Sequence, residues 1–499
     1  MDAPVIALPQ GKIRGLRTDS VSAFLGIPYA AAPVGPALFQ APGPAPTWDD
    51  ERDATRFGPT APQLGYGPPT EDILENPIIE GGEFLNLNVW TPDPGGSGLP
   101  VLVWIHGGAY RFGSSAVSMY DGRAFARDGV VLVSINYRLG AIGYALLDDA
   151  PANRGLLDQL AALRWVRDNI AAFGGDPDRV TVAGESAGSM SVADLFAAPG
   201  AAGLFQRAIM QSSDGKVASL PEDARRVAAD LAERLGIATT TAEFGAVEVP
   251  TLLKTERAQV GEFAISQTAA RWGASVIAAG KGIMPFTPVI DGASLVSSPL
   301  DAIAAGAARE IPLLVGANAD ESRLFTAPPG LTATLPAETL AGYAAVVGLS
   351  PDDVAVYTAN RPDATPGDIF SAIMSDQTFR VPTTRMAQAA TAAGGTAHVY
   401  EFAWQTTHLG LRACHALEIP FVFDTLSSPG MPMMTGTDVP PQQVADDMHR
   451  TWVEFAKGNA PDWPAYDAQA RTVMVFQSPR SAAGPLPRAD EFDRWENVL

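Results

Sequence analysis

The sequence predicts an α/β fold, and three places where a short apolar run opens into a polar or glycine-rich loop carry that prediction. The first is Val101–Ile105, which runs into His106-Gly107-Gly108-Ala109-Tyr110. The second is Val180–Ala183, which ends in Gly184-Glu185-Ser186-Ala187-Gly188. The third is Ile311–Ala317, followed by Asn318-Ala319-Asp320-Glu321-Ser322. Each run reads as a buried strand.

Between the first two, Ala161–Ile170 has the apolar spacing of an amphipathic helix, stopped by Gly174-Gly175 and the turn pair Asp176-Pro177. After Ser186, the small residues from Ala187 to Ala197 favour a helix. Strand, tight glycine-flanked turn and helix in that order lift a serine onto an exposed, strained elbow, which nominates Ser186 as a nucleophile. Further along, Ala397–Phe402 reads as a strand and Met448–Phe455 as a helix.

A serine hydroxyl needs a base, an acid that orients the base, and donors for the oxyanion. The chain has five histidines, at 106, 398, 408, 415 and 449. His398 falls in a strand pattern, His449 in a helix pattern, and His106 at the mouth of a glycine-rich loop, all structural settings. His415, in the small-residue loop Ala413-Cys414-His415-Ala416, is the expected base, with His408 in reserve. The acid is expected between Ser186 and His415, and Asp320 and Glu321 are the best placed. Neighbours on a turning chain point different ways, so only one of them faces His415, and position alone does not choose. Backbone N–H groups of the 107–109 loop and of Ala187 are the expected oxyanion donors.

Taken together, these motifs resemble the type-B carboxylesterases of the α/β-hydrolase fold, a branch that includes bacterial para-nitrobenzyl esterases and the cholinesterases. The similarity spans nearly the whole chain, from Phe24–Ala30 and Leu85–Pro92 through Ser134–Gly140, Asn153–Gln159 and Leu204–Ser212 to Phe455–Asn459 and Trp463–Tyr466. It implies a large, mostly parallel central sheet with helical cap insertions near 217–282 and 328–392 on one domain spanning 1–499. It also implies Glu321 as the acid, Gly108, Ala109 and Ala187 as the oxyanion donors, and supporting roles for Gly107, Glu185 and Ser212, the last steadying Glu321. Glu418 matches a glutamate that follows the family's histidine. The chain departs from the pattern at Ser322, where relatives carry Gly. It has Ala61 and Phe84 at the positions of an early disulfide, and Leu38 and Gly82 at those of a buried Arg–acid pair. Losing both members of such a pair leaves no orphaned charge.

The function this implies is hydrolysis of short to medium acyl or aryl carboxylic esters through an acyl-enzyme, with water as acyl acceptor and no metal or organic cofactor. An inert binding protein and an amidase or lipase with the same triad are the alternatives. Tyr110, Phe112, Leu324, Phe325 and Phe423 are the expected apolar lining of the substrate pocket. Activity is expected to fall as pH drops through roughly 6 to 7, where an ordinary histidine titrates.

A formal charge of −21, with five lysines, disfavours nucleic acid and anionic membranes as partners, and suits neutral or cationic esters. The single cysteine, Cys414, excludes an internal disulfide and reads as a packed residue. No apolar run reaches spanning length, and Met1–Val5 lacks the features of a signal peptide, so the expectation is a cytoplasmic monomer or weak homo-oligomer.

Overall fold

Seven parallel strands form the centre of the sheet in the computed structural model, which describes residues 3–496 and 498. Met1 and Asp2, part of the segment read for a signal peptide, lie outside the described residues. In chain order the strands are β1 (Val5–Leu8), β2 (Gly11–Arg14), β3 (Leu16–Thr18), β4 (Val21–Pro28), β5 (Arg52–Asp53), β6 (Asn86–Thr91), β7 (Leu99–Ile105), β8 (Val131–Ile135), β9 (Gly175–Glu185), β10 (Arg207–Gln211), β11 (Leu313–Asn318), β12 (Ala397–Phe402), β13 (Thr472–Phe476) and β14 (Ala482–Pro485). The large sheet has the order β14-β13-β12-β11-β10-β9-β7-β8-β6-β4-β3, and β1-β2-β5 form a small separate one.

The parallel run extends from β8 to β13, and antiparallel pairs close it at both margins: β13 with β14, β8 with β6, β6 with β4, and β4 with β3. Burial follows this layout. Every residue of β8, β11 and β12 is buried, as expected for strands covered by helices on both faces. The edge strand β14 has no buried residue, and its Gly484 and Pro485 blunt further pairing.

Two elements differ from the sequence reading. The helix expected over 161–170 spans Arg154–Asn169. Its first turns hold Gly155 and Asp158, weak helix formers whose presence there is explained by tertiary contacts. Asp158 pairs with Arg138 at 2.6 Å with both side chains fully buried, and Arg154 donates to the carbonyls of Ala141, Ile142, Ala145 and Pro151. β9 starts at Gly175 rather than at Val180, but the register jumps from Leu99 opposite Gly175 to Val101 opposite Val180, and Asp178 N–H donates to Asp176 Oδ1 at 2.9 Å, so Asp176-Pro177 turns within the strand's bounds.

The Arg138–Asp158 pair carries a stability prediction. Asp158→Asn removes the buried counter-charge and sets an NH₂ donor against the guanidinium, leaving one amide oxygen beside the Leu38 and Gln40 carbonyls as acceptors, and is expected to cost about 3–5 kcal/mol in urea unfolding. A loss within experimental error contradicts that role.

Residues 217–282 are mostly helical, with Pro221–Leu235 and Val249–Ile265 the longest helices. Residues 328–392 run through Ala337–Val346, Pro351–Ala359 and Pro366–Ser375 into a π-turn at Asp376–Arg380 and the helix Val381–Ala392. Ser350/Asp353 and Thr365/Asp368 form complete capping boxes. Ala61 and Phe84 are buried in the apolar core. Among the described residues no helix is long and apolar enough to cross a membrane.

Candidate active site

The C-terminal ends of β7, β9, β11 and β12 and the loops that leave them converge on one cavity of about 560 Å³. That end is where an open parallel sheet places its ligands.

Ser186 sits between β9 and the helix Ala187–Ala197 with φ 54 and ψ −125, a conformation rarely adopted by a residue with a side chain. Its backbone is held on both sides, by Ser186 N–H donating to Gln211 O at 3.0 Å and by Met190 N–H donating to Ser186 O at 2.8 Å. The turn demands glycine next to it: a Cβ on Gly188 would lie 2.0 Å from the Ile105 carbonyl oxygen. Ser186 therefore stands on the cavity wall while its neighbours are buried.

Glu321 follows β11 and is fully buried. Its Oε1 accepts from Ser212 Oγ at 2.6 Å and from Asn318 N–H at 2.7 Å, and its Oε2 lies 2.6 Å from His415 Nδ1. Asp320 points elsewhere, toward Gln405 and, at 3.9 Å each, Arg323 and Arg412. The choice that local sequence left open is thus made by donors from β10 and β11. Glu418, also fully buried, accepts from Gln211 Nε2 at 2.8 Å and Asn318 Nδ2 at 2.6 Å, and burial pushes its pKa up.

His415 lies on the cavity wall between the rings of Phe379, at 4.4 Å, and Phe325, at 5.5 Å. Its Nε2 faces Glu185 Oε1 at 3.1 Å, and among the described residues no hydrogen bond joins His415 to Ser186 Oγ. The contact is close but poorly aligned, since Glu185 Oε1 makes no hydrogen bond. Burial raises the Glu185 carboxyl to about 8. Burial alone would depress His415, but Glu185, Glu321 and Glu418 outweigh it and raise the imidazole to about 9. Glu185 and His415 face each other at 3.1 Å, so the titration of each depends on the charge of the other.

The loop after β7 turns back at Gly108, whose carbonyl accepts from Arg111 N–H at 2.9 Å and Phe112 N–H at 2.8 Å. Gly108 has φ 112, and a Cβ there would lie 2.2 Å from the Phe112 oxygen. Gly107, Gly108 and Ala109 line the cavity beside Ser186. Among the described residues the N–H groups of Gly108, Ala109 and Ala187 have no protein acceptor, which suits them to an oxyanion. His106 supports the loop: it stacks on Tyr137 at 4.6 Å, and burial lowers its pKa to about 4, so it is neutral.

Of the expected pocket residues, Phe112, Leu324 and Phe325 line the cavity. Tyr110 and Phe423 do not. Tyr110 has φ 55 and turns inward, fully buried, against Tyr144 at 5.0 Å. Phe423 packs in the core against Trp104 at 4.9 Å and Phe125 at 5.3 Å. Sequence reasoning missed Tyr66, Met119, Met284, Met374 and Phe379, which also line the cavity. The run Asp376–Arg380 carries no periodic signal for its π-turn, and that turn is what presents Thr378 and Phe379 to the cavity. His408 lies on the turn His408–Gly410, away from the cavity wall, and Cys414 is buried with its thiol pushed toward the neutral form. Among the described residues no cluster of side chains could hold a metal ion.

A model of the carboxylesterase family matches residues 2–495. The chain is 37% identical to para-nitrobenzyl esterase of Bacillus subtilis, over 96% of each protein. It is 34% identical to fumonisin B1 esterase of Sphingopyxis macrogoltabida, over 94% of this chain and 85% of that protein. In three dimensions it is similar to a Geobacillus stearothermophilus carboxylesterase, with TM-score 0.82, 36% identity and coverage of 99% of this chain and 100% of the other.

Proposed function

The chain belongs to the carboxylesterase family and is a carboxylic ester hydrolase, and from that premise we propose that Ser186 is its nucleophile, His415 its general base and Glu321 the acid that orients the base. The observation that carries this reading is the 2.6 Å contact of Glu321 with His415 Nδ1 on the wall of the cavity that holds Ser186. With Nδ1 committed to Glu321, Nε2 is the nitrogen left to accept the serine proton.

In the proposed cycle Ser186 Oγ attacks the ester carbonyl as its proton passes to His415 Nε2. The N–H groups of Gly108, Ala109 and Ala187 receive the developing oxyanion. The alcohol leaves with the proton from His415, and water repeats the sequence on the acyl-enzyme, releasing the acid. Glu185 competes with Ser186 for Nε2 in the resting site, so Nε2 has to be free of a proton and turned toward the serine before it can act as base. The apolar walls at Phe112, Met284, Leu324 and Phe325 support short to medium acyl or aryl esters as substrates.

The helices of 217–282 and 328–392 act as the cap in this reading, since Val260, Met284 and Phe379 on or beside them line the cavity. Comparing para-nitrophenyl acetate, butyrate and octanoate with an anilide and an emulsified triglyceride tests the substrate range. Soluble esters are expected to turn over fastest, and an anilide or triglyceride that outpaces them would overturn it.

The acid limb of kcat/KM is a second test. Only neutral His415 can act as base, and the surrounding carboxylates favour its charged form, so the limb is expected above the ordinary imidazole value of about 6.5. Glu185→Gln removes one of those carboxylates and is expected to move the limb to lower pH. A profile unchanged by the substitution contradicts a role for Glu185 in holding the proton.

A further inference from the structure

The cavity is walled mainly by apolar side chains, yet five charged residues reach it: Glu75, Arg111, Glu185, Arg257 and Lys281. Three of them are answered within the protein. Glu185 faces His415, Glu75 Oε2 accepts from the N–H and hydroxyl of Ser118 at 3.0 and 2.5 Å, and Lys281 Nζ lies 2.9 Å from Asp214. The two arginines are answered less fully: Arg111 has Glu256 as its one nearby carboxylate, and Arg257 has none within 4.0 Å among the described residues.

Arg111 has only 11% of its side chain exposed, and its Nε has no hydrogen-bond partner. The nearest carboxylate oxygen, Glu256 Oε1, is 3.5 Å from Nε and misaligned, while Glu256 Oε2 already accepts from Ala141 N–H. The guanidinium instead lies 4.7 Å over the Phe112 ring. Arg257, exposed on the same wall, donates to the Gly65 carbonyl, and among the described residues no carboxylate lies within 4.0 Å of it. The two cations also feel each other: after burial and the opposing effect of Glu256, the charge of Arg257 further lowers the pKa of Arg111.

We infer that the site takes esters carrying a second, free carboxylate, which Arg111 and Arg257 hold while the ester carbonyl meets Ser186. The inference rests on the ester-hydrolase reading above and narrows its substrate class. With a neutral ligand the two guanidinium groups on this wall share a single, misaligned carboxylate, Glu256. A carboxylate supplies acceptors whose planar geometry matches a guanidinium fork. Position fits as well, because Arg111 is three residues beyond Gly108 and its own N–H closes the turn on the Gly108 carbonyl. The net charge of −21 offers an anion no long-range attraction, so selectivity has to arise at contact.

The test compares kcat/KM for two matched pairs: para-nitrophenyl hydrogen glutarate against its methyl ester, with the anion on the acyl side, and para-acetoxybenzoate against methyl para-acetoxybenzoate, with the anion on the alcohol side. In at least one pair the wild type is expected to favour the anion. That ratio should fall about ten-fold or more in Arg257→Gln and in the double variant Arg111→Met/Glu256→Gln, the second change preventing an orphaned buried glutamate. Arg257→Lys should keep most of the ratio. Ratios that neither variant moves, in both pairs, overturn the inference while leaving ester hydrolysis intact. Calorimetric titration of Ser186→Ala protein with the same compounds separates the two claims. Tighter binding of the anionic member, weakened by Arg257→Gln, upholds the carboxylate site even without turnover, and equal binding of both members overturns it.

Discussion

Replacing Ser186 by Ala is expected to lower kcat for para-nitrophenyl butyrate by about 10⁶-fold, close to complete loss, with the far-ultraviolet circular dichroism unchanged. The size follows from the chemistry: without Oγ there is no acyl-enzyme, and what remains is whatever rate the oxyanion donors and binding give to direct attack by water. Folding should survive, because Ser186 holds its place through backbone hydrogen bonds, which Ala keeps, and the positive φ at this turn is no harder for Ala than for Ser. A folded variant that retains more than about a thousandth of the activity would remove Ser186 from the mechanism.

Glu321→Gln is expected to cost about 10⁴-fold in kcat, with KM little changed. The direction is set by the donors around the side chain. Ser212 Oγ and Asn318 N–H both donate to Glu321 Oε1, so they hold the amide oxygen of a glutamine on their side. The NH₂ group then faces His415 Nδ1 and donates to it, which moves the imidazole proton to Nε2. An Nε2–H imidazole cannot accept the serine proton. Glu321→Asp keeps the charge and should recover part of the loss, and a Gln variant as active as wild type would show that His415 needs no orienting acid.

The parts of this site that the sequence makes legible are those fixed by backbone. An apolar run ending in glycines is a short-range signal, and the elbow at Ser186 and the loop at Gly107-Gly108 stand where those runs stop. Asp320 and Glu321 could not be separated locally, because the discrimination comes from Ser212, 109 residues away in sequence. Aromatic neighbours misled for the same reason. Tyr110 and Phe423 lie close to motifs along the chain, but the direction of each side chain is set by tertiary packing. Residues such as Tyr66 and Phe379 reach the cavity from segments whose composition gives no hint of it. The carboxylate of Glu185 is a further case: its neighbour Ser186 was identifiable, but its approach to His415 depends on the loop after β12. That contact is also why the acid limb is expected above the range of an ordinary histidine.

Charge was the least transferable reading. A strongly acidic chain suggested neutral or cationic substrates, while the cavity wall carries two arginines without aligned carboxylate partners. Global charge governs solubility and long-range approach, and a handful of side chains within a few ångströms governs what is held.

The most direct test of the central claim is covalent labelling with diethyl para-nitrophenyl phosphate followed by peptide mapping. Release of one equivalent of para-nitrophenolate, loss of esterase activity and a diethylphosphoryl group on Ser186 are the predicted result. Inactivation with the label on another residue, or continued ester hydrolysis by protein fully labelled at Ser186, would contradict it.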